Sequence, residues 1–105
     1  MQIPRHVIER LKLSWGDKAS ALDCYAEVRL YDPMSSWECY LFAMDAQEET
    51  VSCLLVSNMC RVDISTVSIL TLASMYNSEG EPPLVDTHFR RRSILSILKR
   101  YKSDT

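Results

Sequence analysis

Glycine is scarce in this chain, with 2 in 105 residues, and proline little commoner at 4. Collagen-like, low-complexity and loop-rich architectures need far more of both and are excluded. A glycine-rich phosphate cradle is excluded as well, because Gly16 and Gly80 stand alone in the sequence. No apolar run approaches the roughly 20 residues that span a bilayer. Met1-Gln2-Ile3-Pro4-Arg5 opens no signal-peptide apolar region, so the expectation is a cytoplasmic protein. Cys24, Cys39, Cys53 and Cys60 never form C-x-x-C, and His6 and His88 lie far from them in sequence. A zinc site needs close-set ligands. The expectation is therefore no metal, no cofactor, and cysteines that stay reduced as small buried hydrophobes. G-x-S-x-G and H-E-x-x-H are both absent.

What is present suits one domain spanning residues 1–105. The chain is 47% hydrophobic and 25% charged, enough to bury a single core and stay soluble. Its organising stretch runs from Cys24 to Val56. Cys24-Tyr25-Ala26-Glu27-Val28-Arg29-Leu30-Tyr31 alternates with period two, which reads as a half-buried strand with Cys24, Ala26, Val28 and Leu30 on one face. Asp32-Pro33 starts a turn, since proline biases the preceding residue away from helix. Trp37 to Met44 is apolar on both faces except at Glu38 and reads as a central strand. Asp45 to Glu49 supplies a second turn, and Thr50 to Val56 a third strand. Connections this short join antiparallel neighbours.

Helices flank this meander. Pro4 sits where a helix N-terminus tolerates it, and Val7, Ile8, Leu11 and Leu13 recur near helical spacing, closing at Trp15-Gly16. A helical turn is expected near Ala19 to Leu22, and a short fourth strand at Met59-Cys60-Arg61-Val62. Asp63 and Ser65 are both capping types, which predicts a middle helix over about 65–75. Asn77 to Pro83 reads as an exposed, mobile loop and Leu84 to Phe89 as a short strand. Ser93 caps a last helix over 93–102, with a frayed end after it. The fold class is α+β: an antiparallel meander of three to five strands with an N-terminal, a middle and a C-terminal helix.

The pattern Val28-Arg29-Leu30-Tyr31-x-Pro33, then Ser35-x-Trp37-x-x-Tyr40, then Asp45 before a third strand, resembles a small bacterial domain-of-unknown-function family carried on plasmids and integrative elements. Asp86 and Phe89 match an Asp and an aromatic before that family's last helix. Asn58-Met59-Cys60-Arg61 replaces its glycines and its Glu-Leu-Gly step. The resemblance implies a fold and a mobile-element setting, with no activity to carry over.

Charge is divided unevenly. Residues 1–85 carry 6 Lys and Arg against 12 Asp and Glu, and residues 86–105 carry 6 against 2. The function expected is binding without catalysis: an accessory protein that contacts a host or element-encoded protein, with a homodimer as a candidate assembly. Tyr31, Trp37 and Tyr40, with Tyr25 and Phe42 beside them, supply stiff contact area if the sheet face is open, and core if helices cover it. Arg90, Arg91 and Arg92 supply charge for an acidic partner. The alternative is nucleic-acid binding through the same basic segment, against which the net charge of -2 weighs. A third reading is a small enzyme in which Asp86 orients His88. A fourth is an acidic patch of Glu27, Glu38, Asp45, Glu48 and Glu49 that occupies basic surfaces on host proteins.

Overall fold

The computed structural model describes residues 2–15, 21–57 and 61–102. Gly16, Ala19-Ser20, Met59-Cys60 and Ser103-Asp104-Thr105, on which a helix end, a turn, a strand start and a frayed terminus were expected, lie outside the described residues. The chain is α+β. Helix α1 (Arg5–Ser14) is followed by a 3-10 turn at Ala21–Asp23, then β1 (Tyr25–Ala26), β2 (Val28–Tyr31), β3 (Glu38–Met44), β4 (Thr50–Ser57) and β5 (Arg61–Ser68). The short α2 (Ile69–Ala73), β6 (Leu84–Val85), β7 (Arg92–Ser93) and α3 (Ile94–Lys102) complete it. Five strands form one sheet in the order β5-β4-β3-β2-β6, and every pairing is antiparallel. β1 and β7 form a separate two-stranded ladder.

The central strands β3 and β4 are apolar on both faces and are covered on both. Val7 and Leu11 of α1 meet Val28, Leu30, Cys39, Leu41, Val51 and Cys53 on one side, and Leu72 of α2 joins them. Ile94 and Ile97 of α3 meet Tyr40, Phe42, Leu54 and Val56 on the other. A bulge between Leu41 and Ala43 turns both Phe42 and Ala43 toward α3, as one extra residue in a strand does. Tyr40 and Phe42 are thus core.

The expected first strand is broken. Ala26 packs under α3, whereas Val28 and Leu30 pack under α1, so the alternation changes face at Glu27. The cause is β7: pairing Ala26 with Arg92 draws β1 out of the main sheet and seats α3. The expected middle helix is likewise corrected. Residues 65–68 belong to β5, and α2 starts only at Ile69. Ser65, Thr66 and Val67 pair along β4, a non-local contact that overrides the local capping signal. The cap is Ser68, whose hydroxyl accepts from the Thr71 N–H at 3.0 Å. At the last helix, Ser93 does cap, accepting from the Ser96 N–H at 3.1 Å.

Both turns of the meander are built on aspartates. Asp32 accepts from the Met34 N–H at 3.0 Å, and Asp45 accepts from the Glu49 and Thr50 N–H groups at 2.8 and 3.0 Å. The Asn77 amide also donates to Asp32 at 2.9 Å and holds its carboxyl below the usual range. The Asn77 end of the exposed loop is therefore tied to the turn after β2, and Gly80, at φ +76, closes the loop with its N–H on the Asn77 carbonyl. The strand expected over Leu84 to Phe89 is only Leu84–Val85; Thr87 and His88 form a turn. Among the described residues no helix is long and apolar enough to cross a membrane.

Glu48 occupies a left-handed turn position, φ 60, that ordinarily favours glycine. Its carboxylate clamps α1, accepting from Arg5 at 2.6 and 2.7 Å and from Lys12 at 2.9 Å. Arg5, and after it Lys12, holds the carboxyl down at about 2 from an ordinary 4.5. A lowered folded-state value adds stability above the unfolded value, lost as pH falls through the folded one. The wild-type melting temperature should thus exceed that of Glu48→Gln at pH 6, with the gap closing between pH 4.5 and 2. The gap should also shrink in salt, because the clamp is exposed to solvent. An unchanged gap down to pH 2 would remove the clamp from the explanation.

Candidate functional site

The hairpin of β2 and β3 places Arg29 opposite Tyr40 and Tyr31 opposite Glu38, all four on the face toward α3. Arg29 reaches diagonally to Glu38, with its Nε at 2.8 Å and its Nη2 at 2.5 Å from Oε1. Its Nη1 donates to Asp86 Oδ2 at 3.0 Å, and its guanidinium lies 4.8 Å from the Tyr31 ring centroid. The Asp86 N–H donates in turn to the Arg29 carbonyl at 2.9 Å, which fixes the chain leaving β6. From α3, Tyr101 donates to Glu38 Oε2 and lies 3.2 Å from the Tyr40 hydroxyl. Burial, followed by these contacts, pushes the Tyr101 hydroxyl well above its ordinary range.

Arg29, Glu38, Tyr40 and Asp86 floor a cleft of about 330 Å³, whose other walls are His88, Phe89, Arg90, Arg92 and Arg100. The extended run Arg90-Arg91-Arg92 alternates sides. Arg90 and Arg92 turn into the cleft, and Arg91 turns away into a second cavity of about 380 Å³. There Arg91 Nε donates to Glu27 Oε1 at 2.6 Å, and its guanidinium lies 4.2 Å from the Tyr25 ring centroid. The Glu27 side chain, only 4% exposed, also faces Arg10, whose Nε is 3.3 Å from Oε2 without forming a hydrogen bond. Arg91, though exposed, is therefore engaged by Glu27, whereas Arg90 and Arg92 have no acidic partner among the described residues.

The candidates read from sequence do not gather into one patch. Tyr31 is half-buried beneath Arg29, and Tyr40 is 4% exposed, so Tyr40 offers no ring to a partner. Trp37 packs against the α1-side core, on the other face of the sheet. Arg90 and Arg92 share the cleft; Arg91 does not. Asp86 and His88 both line it, but the Asp86 carboxylate accepts from the His88 backbone N–H at 2.9 Å and from Arg29, and not from the imidazole. The two are not arranged as an acid–base pair. Of the expected acidic patch, Glu27 pairs with Arg91, Glu38 with Arg29 and Glu48 with Arg5, the Asp45 carboxylate accepts from its own turn, and Glu49 is exposed. Among the described residues no group of three His, Cys, Asp or Glu side chains could hold a metal ion.

Sequence reasoning missed Arg29 and Arg100 as parts of the cleft, and Tyr101 as a partner of Glu38. A signal for Arg29 existed, because a hairpin turning over Asp32 to Trp37 must set residues 29 and 31 beside 38 and 40. Comparison of the chain with protein-family models, curated proteins and solved structures finds no match.

Proposed function

We propose that the protein is a binding module without catalytic activity, and that it captures an acidic segment of a protein partner in the cleft between α3 and the β2–β3 hairpin. The observation that carries this reading is the pair Arg90 and Arg92. Two guanidinium groups two residues apart face a cleft whose own carboxylates, Glu38 and Asp86, are already engaged by Arg29. Guanidinium forks recognise carboxylates in bidentate fashion, which suits aspartate and glutamate side chains. In the setting implied by the sequence resemblance, the partner is a host or element-encoded protein. Nucleic acid is the second reading, supported by the excess of cations in residues 86–105.

Fluorescence anisotropy with a labelled oligoglutamate peptide and a labelled single-stranded oligonucleotide separates the two. The peptide should bind, and Arg90→Ala with Arg92→Ala should weaken it about a hundredfold, taking roughly 1.4 kcal/mol for each contact. Lys99→Ala removes an exposed charge that does not line the cleft and should leave the peptide affinity unchanged. Tighter binding of the oligonucleotide, falling steeply with salt, would replace the proposal with the second reading.

A further inference from the structure

We infer that β5 is a subunit interface, at which two copies of the chain join edge to edge and double the five-stranded sheet. The two edges of that sheet are built differently. At one end β6 is two residues long, preceded by Pro82-Pro83 and followed by Asp86. Short length, proline and charge are the devices by which proteins keep an edge from pairing. At the other end β5 is eight residues long, holds no proline and carries only Arg61 and Asp63 as charges. Among the described residues no strand pairs with its outer side.

The phase of the ladder shows which groups that edge offers. The Ile69 N–H donates to the Glu49 carbonyl at 2.8 Å, in the same register that pairs Val67 with Val51 and Ser65 with Cys53. In an antiparallel ladder, hydrogen-bonded pairs alternate with non-bonded ones. The backbone groups of Ser65 and Val67 therefore point inward to β4, and those of Val62, Ile64 and Thr66 point out. The side chains of Ile64 and Thr66 share a face, and Ile64 is 49% exposed.

A two-fold axis normal to the sheet must set residues of like parity opposite one another. Centred on Ile64, it pairs Ile64 with Ile64 and Val62 with Thr66, so the outward donors and acceptors meet and the exposed isoleucines cover each other. Centred on Asp63, it opposes two carboxylates, which disfavours that register. Centred on Ser65, it sets Val62 against Ser68, the residue where the chain turns into α2. A centre at Val62 or Thr66 overlaps less of β5, so the copies join about Ile64. The clefts holding Arg90 and Arg92 lie toward the β6 edge, so the assembly presents two of them at opposite ends and engages a repetitive partner bivalently.

Sedimentation equilibrium of the full chain tests the interface. The wild type should fit a mass of twice 12.1 kDa, insensitive to salt. Ile64→Lys should raise the dissociation constant about a hundredfold, tenfold for each of the two facing lysines. Thr66→Pro should do the same by deleting an outward N–H while sparing the inward ladder. Leu95→Lys, at an exposed site on α3, should leave the dimer intact. Circular dichroism reports folding, and Ile64→Lys alone decides if Thr66→Pro fails to fold. A monomeric wild type, or a dimer that survives Ile64→Lys with a native spectrum, would overturn the inference.

Discussion

Arg29→Ala should destabilise the protein by about 2–3 kcal/mol, with a melting temperature roughly 10 °C lower. The arginine meets both Glu38 and Asp86. All three side chains are three-quarters or more buried, at 25, 18 and 24% exposure. Fully buried pairs cost about 3–5 kcal/mol when one partner is removed, and the residual solvent contact here brings that figure down. The loss arises from two carboxylates left facing each other in a half-dry cleft, more than from the attraction itself. Combining Arg29→Ala with Glu38→Gln should therefore recover about half of it, since the neutral amide needs no counter-ion. Urea unfolding of the singles and the double, with unchanged m-values, measures the coupling. A loss under about 0.5 kcal/mol for Arg29→Ala would class the network with ordinary surface ion pairs and leave the cleft floor unfixed.

The sequence made the meander legible because its signals are local. Asp32-Pro33 and Asp45 sit at the turns, and the apolar run of β3 between them is continuous. Where the reading failed, a distant partner decided. Glu27 interrupts the first strand because β7, more than sixty residues later, takes Ala26 as its partner. Ser65 stays in a strand because Cys53 pairs with it. The cleft was half legible. Arg90 to Arg92 stood out as a charge run, but alternation within an extended segment decides which two are free, and that requires knowing that Arg92 enters β7. Tyr40 reads equally well as contact surface or core until Ile94 and Ile97 are seen covering its face.

That cover is the second sensitive point. Ile97 is 2% exposed and Leu11 is 0% exposed; they hold α3 and α1 on opposite faces of the same sheet. Truncating either to alanine should cost about 2–4 kcal/mol through lost burial and a residual cavity. The stability losses should match, but the effects on binding should not. α3 carries Tyr101, which completes the Glu38 network, and Arg100, which walls the cleft. Loosening α3 through Ile97→Ala disorders one side of the cleft, whereas Leu11→Ala leaves that side alone. Titration of each variant with the oligoglutamate peptide, at a temperature where both remain folded, should show tenfold or greater weakening for Ile97→Ala and little for Leu11→Ala. Equal weakening would mean that general softening of the sheet governs binding. Unequal weakening would tie recognition to the seat of α3, and through β7 to the pairing that breaks the first strand at Glu27.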